Sequence, residues 1–270
     1  MRFSKWHGLG NDYLLVQRAD LRTPLTEDQV RRLCDYHFGV GSDGVLEVVS
    51  ANGNEAEVVI WNPDGSTAEL SGNGARIVAA WLARTSSADR VRLHVGKLTV
   101  EGVVRSDGDV ELDVGHVEVG EPETLDLGDE RVEFTPVSVG NPHAVVRREP
   151  ERGELRRLGP RIERHSRFAE RTNVQLVRVD GPHDLTVGVW ERGAGETLSS
   201  GTSSVAAAAA AVANGWCESP VRVHLPGGDL LVELADGQAR LTGPAEEICR
   251  IELVEARTVS SAGVPAPPPS

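Results

Sequence analysis

Residues 64–80 read DGSTAELSGNGARIVAA and residues 194–210 read AGETLSSGTSSVAAAAA. Each runs from a Glu through a serine-glycine step into an Ala-rich stretch fit for a helix, and the two lie about 130 residues apart. The likeness is loose upstream, with Glu69 two residues before Ser71 and Glu196 four before Ser200, and tight from the serine onward. A small polar residue followed by glycine at a helix start leaves several backbone N–H groups free and exposes the positive end of the helix dipole. Such a start holds a carboxylate or phosphate without a basic side chain. Two of them in one chain imply two half-domains whose helix starts converge on one anionic ligand. The amides of Gly72, Asn73, Gly201 and Thr202 are then the groups expected to hold it.

The pattern outward from these motifs is that of an α+β protein. Alternation of apolar and polar residues over 91–104, 109–119, 174–180, 185–191, 221–237 and 239–255 argues strands. Helical spacing is confined to 26–37, where Thr26 is the expected N-cap, to 73–85, to 154–165 and to the run from Thr202 to about Asn214, stopped by Gly215. Glycine clusters at 39–44 and 227–228 mark turns. The expectation is two halves in which antiparallel strands wrap a central helix, with the crossover near 115–120. After about Val254 the chain passes into a Pro/Ser/Ala stretch that cannot bury a core, and 257–270 is expected to be a disordered tail.

Composition narrows the function. A net charge of −13 argues against nucleic acid and anionic membrane as partners. The start, MRFSKWHGLGND, has no apolar signal core and no run of 18 apolar residues occurs, so a cytoplasmic protein is expected. Cys34, Cys217 and Cys249 are odd in number, scattered and not in CxxC spacing, which indicates neither a disulfide framework nor a metal site. Several polar residues sit in Gly/Pro-flanked loops, where binding groups concentrate: Asn11 after HGLG, Asn62 before PDGS, Asn141 in GNPH and Asn173 in RTNV. Singly, each is a turn residue. Together with Arg192, whose fork suits a carboxylate, and with the two helix starts, they read as a ligand site.

Six strings in order carry a family resemblance: FSKWHGLGNDYLLV at 3–16, DYHFGVGSDG at 35–44, WNPDGSTAELSGNGAR at 61–76, VGNPHAVV at 139–146, RTNVQLV at 171–177 and ERGAGETLSSGTSS at 191–204. The chain resembles the diaminopimelate epimerase family from residue 1 to about 254. The resemblance implies two pseudo-symmetric domains, 1–116 with about 247–256 and 117–246, with the ligand between them. It implies a cofactor-independent isomerase of an amino-acid dicarboxylate, by default LL-/meso-diaminopimelate in lysine and cell-wall biosynthesis, and a homodimer is compatible with it. By the same resemblance Asn11, Asn62, Asn141 and Asn173 hold the far amino and carboxyl groups, Arg192 clamps the distal carboxylate and Glu191 the amine. His143 and Glu191 flank the reactive centre, His143 being the expected base for a serine.

The family removes and returns an α-proton with two cysteines, which fall at Ser71 and Ser200 in this chain. At position 44, where the family commonly has a side chain reaching the substrate, this chain has Gly44. A thiol ionises near ~8.5 and an alcohol close to water at ~15.7, so an unaided serine base is worse by about 10 kcal/mol. Ser71 and Ser200 then either act as acid/base groups with help from a neighbour or only cap helices and bind ligand. The alternatives are a family member with another reaction (a cyclase, dehydratase or double-bond isomerase), an inactive ligand-binding relative, or a Cys→Ser variant.

Overall fold

A computed structural model of the chain describes residues 1–253. The expected tail at 257–270 lies outside the described residues. The first half runs β1 (Arg2–Gly8), β2 (Asn11–Gln17), α1 (Glu27–Cys34), β3 (Val45–Asn52), β4 (Glu55–Trp61), β5 (Thr67–Ala68), α2 (Gly72–Ser86), β6 (Arg90–Val95), β7 (Leu98–Val104) and β8 (Val110–His116). Short strands β9 (Glu118–Val119) and β10 (Glu123–Asp126) lead into the second half. That half repeats the order as β11 (Arg131–Ser138), β12 (Pro142–Arg147), α3 (Arg152–Glu163), β13 (Asn173–Gly181), β14 (Asp184–Glu191), β15 (Gly195–Thr197), α4 (Gly201–Ala213), β16 (Val221–Leu225), β17 (Gly228–Ala235) and β18 (Gln238–Gly243), followed by β19 (Glu246–Glu252).

The pairing repeats as well. In the first half β1 pairs antiparallel with β2, β2 parallel with β3, β3 antiparallel with β4, and β4 parallel with β6, before the β6–β7–β8 meander. The second half matches this with β11–β12, parallel β12–β13, β13–β14, parallel β14–β16 and the β16–β17–β18 meander. The expected antiparallel sheets thus carry two parallel pairings in each half. Both arise where a helix carries the chain over to the next strand: α1 and α3 before the first parallel partner, α2 and α4 before the second. The halves exchange ends, since β9 pairs with β11 and β19 with β1, and β8 joins β18.

Each half has a helix at its centre and a second on its outer face. α2 packs Ile77, Val78 and Leu82 among Leu15, Leu46, Ile60, Leu93 and Leu112, while α1 packs Val30 and Leu33 against Leu14, Val16 and Val45 from the other side of the same strands. In the second half α4 lies among Val145, Val177, Val187, Val223 and Val232, and α3 covers Ala144, Val146, Val174 and Leu176. Ala206–Ala211 are all buried, so α4 is apolar all round and thin enough for strands to close about it. Burying each Leu or Ile side chain is worth about 1.5–3 kcal/mol, which is what holds these wraps closed. Thr26 caps α1 through a capping box with Gln29, as its sequence position leads one to expect. No helix among the described residues is long and apolar enough to cross a membrane.

One turn ties the halves together close to the motifs. Leu9 and Gly10 join β1 to β2 with φ of 55° and 83°, the primed geometry that suits a two-residue hairpin. Leu9 is buried in the core around α4, and its carbonyl lies so close to Gly227 that a side chain there would collide with it. A first-half turn is thereby held in the second half, and it brings Asn11 to the helix starts.

Candidate active site

Ser71 and Ser200 are the N-cap residues of α2 and α4, both in extended backbone. The helices meet at their first residues: a Cβ on Gly72 would lie 3.3 Å from the Gly201 Cα, and one on Gly201 the same distance from the Gly72 Cα. This approach accounts for the glycine after each serine, and it sets two helix-dipole positive ends side by side. Beneath them lies Arg76, one turn into α2 and fully buried. Its Nη2 donates to Asn73 Oδ1 at 2.7 Å and its Nε to the Pro244 carbonyl at 3.4 Å, while Nη1 has no partner among the described residues. Burial pulls the guanidinium down to about 10, which still leaves it charged at neutral pH. Two helix starts and a buried cation without a bonded carboxylate make a strongly anion-attracting locus.

The two serines are held in opposite ways. Ser71 Oγ accepts from the Gly74 N–H at 3.1 Å and shares a 3.0 Å hydrogen bond with the hydroxyl of Tyr13 on β2. Ser200 makes no cap; its Oγ donates to Glu191 Oε2 at 3.2 Å. Glu191 ends β14, and burial pushes its carboxyl above the ordinary range, with the hydroxyls of Thr197 and Ser200 pulling the other way. The loop beyond it is anchored by Glu163, which accepts from Trp190 Nε1 at 2.9 Å and from the Gly193 N–H at 3.0 Å.

His143 lies elsewhere than expected of a base for either serine. Its Nδ1 accepts from Gln175 Nε2 at 3.0 Å, so the ring proton sits on Nε2 and goes to Asn141 Oδ1 at 2.8 Å. Burial first, and then the charge of Arg192, pull its pKa down to about 3. A neutral ring with both nitrogens engaged orients Asn141 but takes up no proton at pH 7.

The amides fall into two groups. Asn73 Nδ2 donates to Asn11 Oδ1 at 3.1 Å and to Ser199 Oγ at 3.2 Å, so Asn11 and Asn73 form one network across the helix junction. Asn173 accepts from the Arg192 N–H at 2.9 Å and donates to the Pro142 carbonyl at 3.0 Å, bringing Asn173, Arg192 and the Asn141–His143 segment together. The Arg192 guanidinium is exposed and donates to the Glu170 carbonyl. Thr202 is half-buried in the first turn of α4. Asn62 stands apart from both groups: its side chain donates to Ser66 Oγ and its N–H to the Ser66 carbonyl, which closes its own turn.

Sequence reasoning passed over Tyr13 and Arg76. Arg76 had a signal, a lone charge in the apolar helical run ARIVAAWL; Tyr13 had none beyond its place two residues after Asn11. Gly44 does have a structural explanation. A Cβ there would lie 2.7 Å from Tyr13 Cε1 and closer still to the Trp61 carbonyl, so the Tyr13 ring occupies the room a side chain at 44 would need. Among the described residues no group of three or more His, Cys, Asp or Glu is placed to hold a metal ion.

Comparison with known proteins agrees with this architecture. The sequence profile of the family described as diaminopimelate epimerase matches residues 3–121 and 135–248. A diaminopimelate epimerase of Desulfitobacterium hafniense is 39% identical, the match covering 94% of this chain and 99% of the relative. One from a Cyanothece species is 41% identical over 92% of this chain and 98% of the relative. In fold, the chain is similar to a solved structure of a probable proline racemase from Agrobacterium radiobacter, with a TM-score of 0.72 at 14% identity over 96% of this chain and 94% of that one. The α+β architecture is therefore shared beyond recognisable sequence, and by sequence the chain belongs to the diaminopimelate epimerase family.

Proposed function

We propose that the chain is a cofactor-independent isomerase that moves a proton at the α-carbon of an amino-acid dicarboxylate, with LL-/meso-diaminopimelate as the default substrate. Family membership supports the substrate class. The observation that carries the chemistry is the hydrogen bond from Ser200 Oγ to the Glu191 carboxylate beside the joined helix starts. Ser200 then needs no free alkoxide. As its oxygen takes the α-proton, its own proton passes to Glu191, a base many units closer to neutrality than an alkoxide. The helix-start amides and the charge of Arg76 stabilise the carboxylate as it gains enolate character. Asn11 and Asn73 on one side, and Asn141, Asn173 and Arg192 on the other, are the groups we assign to the rest of the substrate, with His143 as a neutral orienting residue.

We also read the chain as two domains, 1–116 with the β19 segment and 117–246, because β9, just past the boundary, pairs with β11, while β19 returns from the end of the second half to pair with β1. A small-molecule substrate, a cytoplasmic location and a homodimer belong to the same reading. The test is deuterium incorporation from heavy water into each diaminopimelate stereoisomer, with calorimetry for binding. Binding with α-exchange supports the assignment. Binding without exchange would favour an inactive ligand-binding relative, and neither would remove diaminopimelate as the substrate.

A further inference from the structure

We propose that Tyr13 is the proton source for Ser71, so that the two faces of the site are chemically unequal, Ser200–Glu191 withdrawing a proton and Ser71–Tyr13 returning one. This rests on the isomerase reading above and assigns a residue that the repeated motif does not contain.

Counting hydrogen bonds leads to it. A serine oxygen has two lone pairs and one proton. At Ser71 one lone pair accepts the Gly74 N–H. The 3.0 Å contact with Tyr13 allows either hydroxyl to donate, and in this assignment the phenol, the stronger acid of the pair, is the donor. The Ser71 proton is then left to point at a ligand. At Ser200 the proton is already given to Glu191, which leaves lone pairs for the ligand. One hydroxyl presents a proton and the other accepts one. The Tyr13 ring is also fixed for the task. It is 7% exposed, and it fills the space that glycine at 44 leaves open beside Trp61.

The surroundings keep this phenol protonated until it is used. Burial, chiefly, pushes Tyr13 up to about 12; the Glu191, Asp43 and Asp12 carboxylates add to the rise and the Ser71 hydrogen bond opposes it. Asp12 comes from the same strand, Asp43 from the loop before β3 and Glu191 from β14, while Lys5 on β1 pairs with Asp12 at 2.6 Å and Tyr36 donates to both Asp12 and Asp43. A phenol at about 12 is still a far better proton donor than an alcohol near ~15.7. In the step itself the Ser71 O–H bond breaks as the new Cα–H bond forms, and the Tyr13 O–H bond breaks to restore Ser71. The resulting phenolate is reprotonated by solvent, as Glu191 gives its proton to solvent. Tyr13 acts through Ser71 and is in that sense a positioning residue.

Tyr13→Phe tests this with LL- and meso-diaminopimelate in heavy water. Epimerisation should fall by about 10²-fold or more, while α-hydrogen exchange from the isomer facing Ser200 stays within about threefold, so that exchange outruns inversion. Loss of both in equal measure would mark a structural role, and loss of neither an idle residue; either overturns the assignment. The chain has two tyrosines, so 3-fluorotyrosine incorporated in a Tyr36→Phe background reports on Tyr13 alone. Fluorination makes the phenol more acidic, and the alkaline limb of inversion should move to lower pH. An unmoved limb overturns the proposal without touching the isomerase reading. Absence of exchange in the unmodified protein refutes that reading, and the role of Tyr13 with it.

Discussion

Glu191→Gln isolates the carboxylate that accepts the Ser200 hydroxyl. The amide is nearly isosteric and can still accept the Ser200 hydroxyl at the observed 3.2 Å, so substrate binding should be kept. What disappears is a destination for the proton. A positioned general base contributes about 10²–10⁴-fold, or roughly 3–5 kcal/mol of barrier. The upper limit is set by serine working unaided, about 10 kcal/mol worse than a thiol would be. Exchange on the Ser200 face, followed by mass spectrometry of deuterium wash-in, should therefore fall by at least about 10²-fold with ligand affinity nearly unchanged. The pH dependence follows from the direction of the shift. Burial raises the Glu191 carboxyl above its ordinary range, so exchange should rise with pH through that raised value and then level off, and the variant should lose this limb. Stability runs the other way. A carboxyl with a raised folded-state pKa contributes stability below its unfolded pKa and loses it as pH climbs through the folded one. Glu191→Gln should accordingly melt no lower than the parent at pH 7, with any advantage vanishing in acid. A loss of exchange smaller than about tenfold would mean that the Ser200 proton goes elsewhere, and the base assignment would be wrong.

The double change Ser71→Cys with Ser200→Cys replaces two alcohols by groups that ionise about seven units lower, and exchange should rise on both faces, read by the same deuterium assay; a fall would show that the neighbouring Glu191 and Tyr13 are tuned to oxygen. Gly44→Ala drives a Cβ to 2.7 Å from Tyr13 Cε1, which should cost about 1–3 kcal/mol, or roughly 2–4 °C in melting temperature per kcal/mol by calorimetry. It should also slow inversion more than exchange, because the ring that must move carries the hydroxyl bonded to Ser71.

Alternation found the strands of the two meanders, β6 to β8 and β16 to β18, whose outer faces meet water, and it also found β13, β14 and the span of β19. β2 and β3 were not legible because α1 and α2 cover them from both sides, which gives buried runs such as Tyr13–Val16 with no period of two. β12, between α3 and α4, hides for the same reason. The site divides along a similar line. Ser71 and Ser200 could be read because a helix start is local: the hydroxyl, the glycine and the free amides lie within one turn of chain. Their chemical partners could not. Tyr13 reaches Ser71 across 58 positions, and His143 is claimed by Gln175 only because β12 and β13 run parallel in a register that sets His143 against Asn173. A histidine in a glycine-flanked loop reads as a free base until that register is known; here both its ring nitrogens are engaged, and in the proposed chemistry proton handling passes to a glutamate and a tyrosine. On the proposed chemistry, serine at the two positions where the resemblance implies cysteine is compatible with a working scaffold, since Ser200 lies within hydrogen-bond reach of Glu191 and Ser71 of Tyr13.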